Sequence, residues 1–449
     1  MSRRKKIEVD EIEQISDKIL QVPIAQMMQN NYLNISSYAA NHRALPSLYD
    51  GCKDSYRRLI HSATKFPKGK LSPAVEVHGA VAATHPHSLD GIKGAVGVFV
   101  NSGIFEGEGS FGFTSMDGTE NELAALRYLK IGLSGKYWDL IGDLIKEVPW
   151  VESPNGPLEP AYIPLPLPLC LYLKTSVQGM AVSVKTNMPN FSPKSMLAAY
   201  KADNPNLLEP NIDIIMDKSQ SELKKLWETG RGKVVYSYKI SRSNGPDGKT
   251  EGILFEGDTW LFTPKWSKFS KLLDEGKVFY EDLTDASGTK AFIGRVPGAR
   301  GVNPEDIEDI SRKICYSSQE YNLNITDGTT AYRIPLRSWI DYTYKNYVGL
   351  VTEVNKKRIE KCLFDIKVQE ALPLVADYIL NKNPKASDSE LQKALSIPAE
   401  IIDVVMGKPI SYLRNNKDTA DRIKALKTRL KELKAFDPIK YTEEIINQL

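Results

Sequence analysis

Residues 43–58 read RALPSLYDGCKDSYRR and predict a backbone turn followed directly by a basic helix. Asp50 and Gly51 supply the turn, because aspartate and glycine both favour tight turns. On the helix, Arg57 and Arg58 are predicted to point to adjacent sides, and three more basic residues follow soon after: Lys65, Lys68 and Lys70. Such a local patch suits phosphate groups. A solvated helix face is the simpler interpretation when this helix is taken alone.

Composition places the chain among ordinary globular proteins. Its 449 residues exceed one hydrophobic core and predict two or three domains. Hydrophobic residues make up 41% and charged residues 26%, both of which are typical of soluble proteins. The net charge is only +3, so a DNA-binding site has to arise from local clusters of lysine and arginine.

Cysteine usage and hydropathy argue against several classes of protein. The four cysteines lie far apart without a CxxC pair, which disfavours a zinc site or a disulfide framework and predicts a reducing, cytoplasmic location. The N-terminus is basic and then acidic, without the apolar core of a signal peptide. No apolar stretch is long enough to span a bilayer, so no membrane partner is expected.

The first 160 residues divide into an arm and a histidine-rich segment. Residues 1–35 are predicted to form a polar arm with helical content, and three isoleucines share one helical face there: Ile12, Ile15 and Ile19. Residues 36–160 hold all five histidines of the chain. The histidines end before about Tyr137, and the proline-rich stretch from Pro149 to Pro168 favours extended backbone and is predicted to lead into a strand at 169–172.

Residues 161–342 mix strand and helix signals, so this segment is predicted to be α+β. The run KVVYSYKI, 233–240, alternates apolar and polar residues as a half-buried strand does. Asn244-Gly245 is a turn signal, and alternation resumes from Gly252 to Phe262. Together these features predict a β-hairpin.

Residues 343–440 contain two apolar seams that predict an antiparallel coiled-coil pair. In both seams, apolar residues recur every three or four positions. The first seam consists of Val348, Val351, Asn355, Ile359, Cys362 and Ile366. The second consists of Ile423, Leu426, Leu430 and Leu433. A capping box at 387–390 starts a short helix between them, so a compact helical tip is expected.

Three further motifs are weak when each is taken alone. Gly107–Gly112 is glycine-rich, and a tight loop is its simpler interpretation. His85 and His87 flank a proline and could position a phosphate as donors, although an ordinary loop explains them as simply. Arg127-Tyr128 is predicted on a helix that opens near Asn121, and such a pair is common by chance. The chain has no P-loop, no dinucleotide-binding glycine motif and no metal-binding HExxH, so we expect no bound nucleotide and no metal ligands in it.

Taken together and in order, these motifs resemble the A subunits of DNA gyrase and topoisomerase IV. Order and spacing agree over residues 43–189. The matching segments are Arg43-Ala44-Leu45-Pro46 with Asp50-Gly51-x-Lys53 and Arg57-Arg58, His85-Pro86-His87, Gly107-x-Gly109-Ser110-Phe111-Gly112, Ala124-Ala125-x-Arg127-Tyr128, and Ser176-Val177-Gln178-Gly179-Met180-Ala181-Val182 with Thr186-Asn187-Met188-Pro189. By pattern alone, the later segments resemble the family's tower and exit gate.

The chain departs from the family pattern at several positions. Asp54 stands where the family has proline, Tyr56 where it has histidine, Ser88 where it has glycine and Met180 where it usually has isoleucine. In layout, the chain is similar to the medium subunit of T-even-type phage topoisomerases, without wrapping, ATPase or metal-binding domains. Relaxation or decatenation is therefore expected rather than negative supercoiling.

The resemblance implies a transesterification in which Tyr128 attacks a DNA phosphate and forms a 5′-phosphotyrosyl link. It implies that Arg127 and Arg43 lie at the scissile phosphate as catalytic cations, with His85 as a hydrogen-bond donor beside them. Mg²⁺ is implied as well, with its acidic ligands mainly on a partner chain. ATP is expected to bind to that partner, a large subunit that carries the ATPase and TOPRIM modules.

The resemblance also implies a domain plan and a set of DNA contacts. After the arm, residues 36–160 would form a winged-helix breakage-reunion domain, 161–342 a tower, and 343–440 a coiled-coil exit gate with a helical dimerisation tip. Double-stranded DNA is expected to meet five residues: Lys53, Arg57, Arg58, His87 and Met180. Met180 would act as an intercalating wedge, although a buried loop methionine is the alternative.

Two alternatives stay open for this sequence. A non-enzymatic winged-helix protein that binds or shapes DNA would use the basic patch and the coiled coil equally well. Within the enzyme interpretation, Tyr56 is the nearest rival of Tyr128 as nucleophile, because it lies on the basic helix. The enzyme interpretation predicts a homodimer, since two strand breaks need two tyrosines. It also predicts a cytoplasmic location, in the host if the chain is phage-encoded.

Overall fold

The computed structural model describes residues 23–218, 220–284, 288–408 and 419–449. The predicted helical face in the N-terminal arm lies outside the described residues. In the described part, helices alternate with small antiparallel sheets, which confirms the predicted mixture of α and β structure. Within these ranges, no helix combines the length and apolar character needed to cross a membrane.

The first part of the described chain contains five helices and seven short strands. They are α1 (Ile24–Ala39) with a π-helical turn (Ala40–Ala44), α2 (Asp54–Ala63), β1 (Ser72–Pro73), α3 (Ala74–Val81), α4 (Asp90–Asn101), β2 (Phe105–Glu108), β3 (Phe113–Thr114), β4 (Glu120–Asn121), a 3-10 turn (Leu126–Tyr128), β5 (Lys130–Leu133), α5 (Gly135–Ile141), a 3-10 turn (Asp143–Lys146), β6 (Trp150–Glu152) and β7 (Leu158–Pro160). β5 lies between β1 and β2 in an antiparallel sheet, and β3–β4 and β6–β7 form separate two-stranded ribbons.

Helices α2, α3 and α4 pack around one apolar centre beside this sheet. Leu59, Val77, Val96 and Phe99 are fully buried there, together with Ile131 from the central strand β5. Burying side chains of this size removes apolar surface from water and is the main stabilising contribution to such a core. The centre thereby holds the turn before β5 against the N-terminal end of α3.

The middle part forms two larger antiparallel sheets. Its elements are a 3-10 turn (Leu169–Leu171), β8 (Gln178–Ala181), β9 (Val184–Asn187), α6 (Pro193–Ala202), a 3-10 turn (Pro205–Leu207), β10 (Ile215–Asp217), α7 (Gln220–Thr229), β11 (Arg231–Ser237), β12 (Lys239–Asn244), β13 (Glu251–Glu256), a 3-10 turn (Trp266–Lys268), α8 (Ser270–Asp274), β14 (Val278–Asp282), β15 (Lys290–Arg295), α9 (Pro304–Ile314), β16 (Tyr316–Asn322), β17 (Asn324–Thr326) and β18 (Ala331–Arg333). The five-stranded sheet has the order β10-β11-β16-β9-β8 and the four-stranded sheet β12-β13-β15-β14.

The predicted strand at 233–240 is divided between these two sheets. It breaks at the buried Tyr238, whose backbone N–H bonds to the carbonyl of Cys315 and leaves the ladder. The hairpin itself is present as β12–β13, with Lys239 opposite Glu256. The alternation expected to reach Phe262 ends at β13, because Gly257 adopts a positive φ of 143°.

The strand predicted at 169–172 is wrong. Leu169 to Leu171 form a 3-10 turn, in which the N–H of Leu171 bonds to the carbonyl of Pro168. The N–H of Leu169 bonds to the carbonyl of Asp50, so the segment docks on the Asp50 turn instead of joining a sheet. Short-range and long-range backbone bonds together satisfy its donors, which leaves no ladder for a strand.

The last part of the chain is helical. It contains α10 (Leu336–Asp377) with a π-helical turn (Tyr378–Lys382), α11 (Asp388–Leu395), α12 (Ala399–Met406), α13 (Thr419–Ala435) and α14 (Pro438–Ile446). The Asn355 side chain donates to the Leu433 carbonyl at 3.0 Å, and Cys362 Sγ lies 3.4 Å from the Leu426 carbonyl. Because partner numbers fall as numbers on α10 rise, α10 and α13 run antiparallel.

A separate small apolar cluster joins the end of α10 to α11 and α12. Leu372, Val375, Leu391 and Ile402 are buried in it. The capping box predicted before α11 is present, with the Ser387 hydroxyl accepting from the N–H of Glu390. Helix α10 runs through position 342, and the predicted domain boundaries stay predictions.

Candidate active site

Tyr128 lies on the 3-10 turn between β4 and β5 rather than on a helix. Its side chain is 69% exposed. The helix predicted to open near Asn121 is wrong, because Asn121 pairs with Phe113 in the β3–β4 ribbon. The chain after it stays extended, and the N–H of Ala124 bonds to the carbonyl of Ser110. The tyrosine hydroxyl is therefore presented to solvent from a short turn.

The glycine-rich segment supports this turn. Gly109 has a φ of 121°, and a Cβ there would lie 2.4 Å from Leu129 Cδ2 and 3.4 Å from the Tyr128 carbonyl oxygen. A Cβ at Gly112 would lie 2.8 Å from the Asn121 carbonyl oxygen. Only glycine allows such close approach, so the segment packs as a tight loop against the tyrosine turn.

Arg127 lies directly beside the tyrosine. Its guanidinium carbon is 4.8 Å from the centre of the Tyr128 ring, which is cation–π geometry. Both side chains are exposed. The turn therefore presents an oxygen nucleophile and a permanent positive charge together.

A second polar site is a cavity of about 280 Å³ at the start of α4. It brings together three of the predicted site residues, Arg43, His85 and His87. Its other lining residues are His42, Ser55, Ser88, Asp90, Gly91 and Ile92. Arg43 comes from the π-helical turn after α1 and is exposed. We call this space the histidine cavity.

His85 and His87 each contact another polar side chain of the protein. His85 Nδ1 lies 3.2 Å from Arg58 Nη1. Burial, and then the charge of Arg58, lower the pKa of His85 to about 4, so its ring is neutral at pH 7. His87 Nε2 lies 3.0 Å from the Tyr38 hydroxyl. Burial and the nearby charge of Arg43 lower the pKa of His87 as well.

Arg57 and Arg58 are buried rather than displayed on a solvated helix face. Arg58 is 4% exposed, and its Nε and Nη2 donate to the two carboxylate oxygens of Glu159 at 2.8 and 2.9 Å. Arg57 Nη1 lies 3.1 Å from Asp54 Oδ1. We call Asp54, Arg57, Arg58 and Glu159 the buried ion cluster. Each charge in it has an opposite partner, which is what makes burial of such groups tolerable.

Asp54 links this cluster to the cavity. Its Oδ2 lies 3.3 Å from His42 Nδ1 and its Oδ1 faces Arg57. Burial alone would raise the pKa of the Asp54 carboxyl, but the His42 hydrogen bond and the charges of Arg57 and Arg58 hold the pKa below its usual value. The carboxylate is therefore ionised at neutral pH.

The β8–β9 hairpin carries Met180 close to the π-helical turn that holds Arg43. Met180 is 81% exposed, so the alternative of a buried loop methionine is wrong. A Cβ at Gly179 would lie 1.9 Å from the Ala44 carbonyl oxygen, which shows how closely the hairpin packs on the turn that carries Arg43. Lys53 Nζ donates to the Gln178 carbonyl at 2.6 Å. Burial lowers the pKa of Lys53, and its hydrogen bond links the hairpin to the start of α2.

The tyrosine turn and the histidine cavity lie at opposite ends of α3. The N–H of Ala74, the first residue of α3, bonds to the Leu129 carbonyl at 2.9 Å. At the other end, the N–H of His85 bonds to the Val81 carbonyl at 2.9 Å. A helix of 8 residues is about 12 Å long. The residues that line the cavity do not include Arg127 or Tyr128.

Sequence patterns missed the carboxylates of the site. Glu159 lies on β7 within the proline-rich stretch, 101 residues beyond Arg58, and no local pattern links the two. Asp54 was visible only as a departure from the family's proline. Asn155 was missed too, although its side chain bonds to the backbone of His85.

Few acidic side chains line the histidine cavity as possible magnesium ligands. Within the ranges that the structure covers, no group of three or more histidine, cysteine, aspartate or glutamate residues could hold a metal ion. Asp90 is the one carboxylate among the described residues that line the histidine cavity, and it accepts from the Ser88 hydroxyl at 2.7 Å. Bound Mg²⁺ usually has one or two protein carboxylates together with substrate phosphates and waters, so the lining of the cavity by itself offers the smaller number.

Comparison with known proteins gives a consistent set of matches. The family model for the A subunit of DNA gyrase/topoisomerase IV matches residues 43–449. The A subunit of DNA gyrase from Buchnera aphidicola subsp. Acyrthosiphon pisum is 27% identical over 266 residues, which cover 54% of this chain and 31% of the relative. The corresponding gyrase chain of Pseudomonas aeruginosa is 26% identical over 313 residues, covering 62% and 33%. The A subunit of DNA topoisomerase 4 from Escherichia coli K12 is 27% identical over 245 residues, covering 49% and 32%. The chain spans about a third of the length of these curated relatives.

Proposed function

The chain belongs to the family of DNA gyrase and topoisomerase IV A subunits, and from this we propose that it is the DNA cleavage-and-religation subunit of an ATP-dependent type IIA topoisomerase. The observation that carries the proposal is the exposed pair Arg127-Tyr128, displayed on its turn within the matched region. Such an enzyme is an isomerase, since the DNA is broken and rejoined and only its topology changes.

The proposed reaction is a transesterification. The Tyr128 oxygen forms a bond to a DNA phosphorus, and the bond from that phosphorus to the 3′ oxygen breaks. The tyrosine hydroxyl loses its proton, and the released 3′ oxygen gains one to become a hydroxyl. One phosphodiester is exchanged for another, so religation needs no added energy. Arg127, whose guanidinium group lies over the Tyr128 ring, would stabilise the negative charge that develops on the phosphate oxygens.

Placement of the tyrosine turn and the histidine cavity at opposite ends of α3 supports a site shared between two copies. We propose that Tyr128 of one chain meets a phosphate held by Arg43 and His85 of the other. Two strand breaks require two tyrosines, which also favours a homodimer. The pairing of α10 with α13 supports a coiled-coil exit gate, and exposed Val404 and Met406 on α12 are candidates for its dimer contact.

DNA is proposed to lie across a winged-helix domain built on α2, α3, α4 and the β1–β5–β2 sheet. His87 and Lys53 would face its backbone, and Met180 would insert between base steps. Arg57 and Arg58 stay predicted DNA contacts. Both already hold buried carboxylates, and Arg57 lines a different pocket, beside Asn41 and Tyr49.

Cofactors and further partners are proposed to reside mainly on another chain. We propose a large subunit that binds ATP and supplies the acidic ligands of Mg²⁺, and DNA relaxation or decatenation as the result. A cytoplasmic location, in the host if the chain is phage-encoded, stays a prediction. The isolated chain is expected to bind DNA without cutting it.

The deciding experiment traps the covalent intermediate. The chain is reconstituted with its large subunit on end-labelled DNA, the reaction is stopped with denaturant, and the DNA-linked peptide is mapped. We expect the link on Tyr128. A link on Tyr56 would overturn the assignment, although burial raises the pKa of Tyr56 to about 12 and its ring packs on Phe99. DNA binding without any adduct would favour the non-enzymatic, architectural alternative.

A further inference from the structure

We propose that the β6–β7 hairpin is a positioning element for His85, with Glu159 acting through Arg58 and Asn155 acting on the His85 backbone. The inference rests on the proposed function, because it assigns His85 a defined task in the cleavage site. Neither Glu159 nor Asn155 touches the histidine cavity, so both are positioning residues rather than catalytic ones.

Glu159 holds Arg58 in one orientation. The Glu159 side chain is 3% exposed and accepts two hydrogen bonds from Arg58, at 2.8 Å from Nε and 2.9 Å from Nη2. This side-on, bidentate geometry fixes the plane of the guanidinium group. The remaining nitrogen, Nη1, is thereby directed to His85 Nδ1 at 3.2 Å.

The contact with Arg58 decides which nitrogen of His85 bears the proton. A guanidinium group has five N–H donors and no acceptor, so His85 Nδ1 must be the acceptor. A neutral imidazole whose Nδ1 is unprotonated bears its hydrogen on Nε2. His85 then offers an Nε2–H donor to a phosphate oxygen in the cavity, beside the exposed charge of Arg43.

The same hairpin also holds the backbone of His85. Asn155, in the loop between β6 and β7, donates from Nδ2 to the carbonyls of Ala82 and His85, both at 3.1 Å. These bonds fix the residues that follow α3. One hairpin therefore determines both where the His85 backbone lies and which way its ring presents a donor.

The first test reads the tautomer without any activity. The chain is labelled with ¹⁵N-histidine, and the His85 ring signals are assigned by comparison with His85→Gln. We expect an unprotonated Nδ1 and a protonated Nε2 in the native chain, and a mixture of tautomers in Glu159→Gln. The matched control is Glu152→Gln, an exposed glutamate on the same hairpin, which should leave the signals unchanged. A protonated Nδ1 in the native chain, or native signals in Glu159→Gln, would overturn the proposal.

The second test is a double-mutant cycle on covalent cleavage by the reconstituted complex. Loss of a residue that orients an active-site ligand typically costs 10- to 100-fold, so Glu159→Gln should slow cleavage by about that factor with DNA affinity unchanged. In a His85→Gln background, the same change should have no further effect. An equal loss in both backgrounds would overturn the proposal.

Asn155→Ala is the second variant of the hairpin. If Glu159→Gln fails to fold by circular dichroism, Asn155→Ala at an exposed position takes its place, and it should shift the His85 signals and slow cleavage. Native His85 signals in that variant would overturn the role of the hairpin. If the native complex does not cleave DNA either, the proposed function fails, while the ¹⁵N spectra still decide the tautomer.

Discussion

The tyrosine turn and the buried ion cluster are held in opposite ways. Tyr128 and Arg127 stand exposed on a short turn, supported from below by glycines and by Leu129. Arg58 and Glu159 are almost wholly buried and hold each other at hydrogen-bonding distance. The contrast teaches that a residue which must reach a large substrate can stand exposed on the surface. Residues that orient a catalytic side chain must be packed inside the protein. Substitutions in the turn should therefore affect chemistry alone, and substitutions in the cluster should affect stability as well as chemistry.

The largest effect is expected for Tyr128→Phe. The change removes the attacking oxygen, and no neighbouring group can replace it, so covalent cleavage and strand passage should be abolished. The hydroxyl is solvent-facing, so the free energy of unfolding should change by about 1 kcal/mol or less. Adduct formation, DNA binding and thermal unfolding measure the three quantities. Residual adducts in this variant would remove Tyr128 from the chemistry.

Arg58→Ala, unlike Tyr128→Phe, should lower the stability of the fold. It leaves the buried Glu159 carboxylate without its bidentate partner, and breaking a buried ion pair typically costs about 3–5 kcal/mol of stability. Chemical denaturation should show this loss even in the absence of DNA. A native midpoint would mean that water or Arg57 replaces the lost partner.

Arg127→Ala is the matched change in the turn. Loss of one cation that stabilises transition-state charge typically slows a reaction by about 100- to 1,000-fold. Because Arg127 is exposed and its guanidinium group lies over the Tyr128 ring, stability should change by no more than about 0.5 kcal/mol. Single-turnover cleavage rates and denaturation midpoints test the two halves of this prediction separately.

A smaller change in the free energy of unfolding is expected with pH, because a buried histidine lies on α2, the helix that carries Arg57 and Arg58. His61, on α2, is 5% exposed, and burial, with a contribution from Lys65, lowers its pKa to about 4. The unfolded chain binds this proton below about pH 6.5 and the folded chain does not, so stability is full above pH 6.5 and is lost as pH falls toward 4. Between pH 6.5 and 5 the loss amounts to about 1.5 kcal/mol.

The measurement compares denaturation midpoints of the native chain and His61→Gln at these two pH values. Asp50 works in the opposite direction, because burial raises its pKa to about 6, and this contribution is common to both chains. The difference between them therefore isolates His61. Parallel midpoints in both chains would show that His61 is protonated within the fold.

The smallest effect on stability belongs to Met180→Ala. The side chain is 81% exposed on β8, so its loss should change stability by less than about 0.5 kcal/mol. A wedge that unstacks a base step should still matter to DNA shape, and bending measured by fluorescence energy transfer should fall. Unchanged bending would refute the wedge. Met180 would then share the exposure of Tyr128 without sharing a role in function.

The sequence alone determined the features that depend on short spacings. The apolar seams specified helices α10 and α13, Ser387 and Glu390 marked the start of α11, and alternation marked β11 and β13. Ordered motifs between Arg43 and Pro189 identified the family. All of these signals act within a few residues, where helix periodicity, capping and turn chemistry are decided by local backbone geometry.

Only the tertiary structure decided how charges are buried and which groups meet. A basic helix with two adjacent arginines predicts a solvated or phosphate-binding face, yet Glu159, far along the chain, takes up Arg58 and turns it inward. Likewise, the turn at Tyr128 replaces the expected helix because β3–β4 pairing and the tight glycine loop hold residues 121–125 extended. Burial and ion pairing depend on distances between segments that are remote in sequence, and no local pattern encodes those distances.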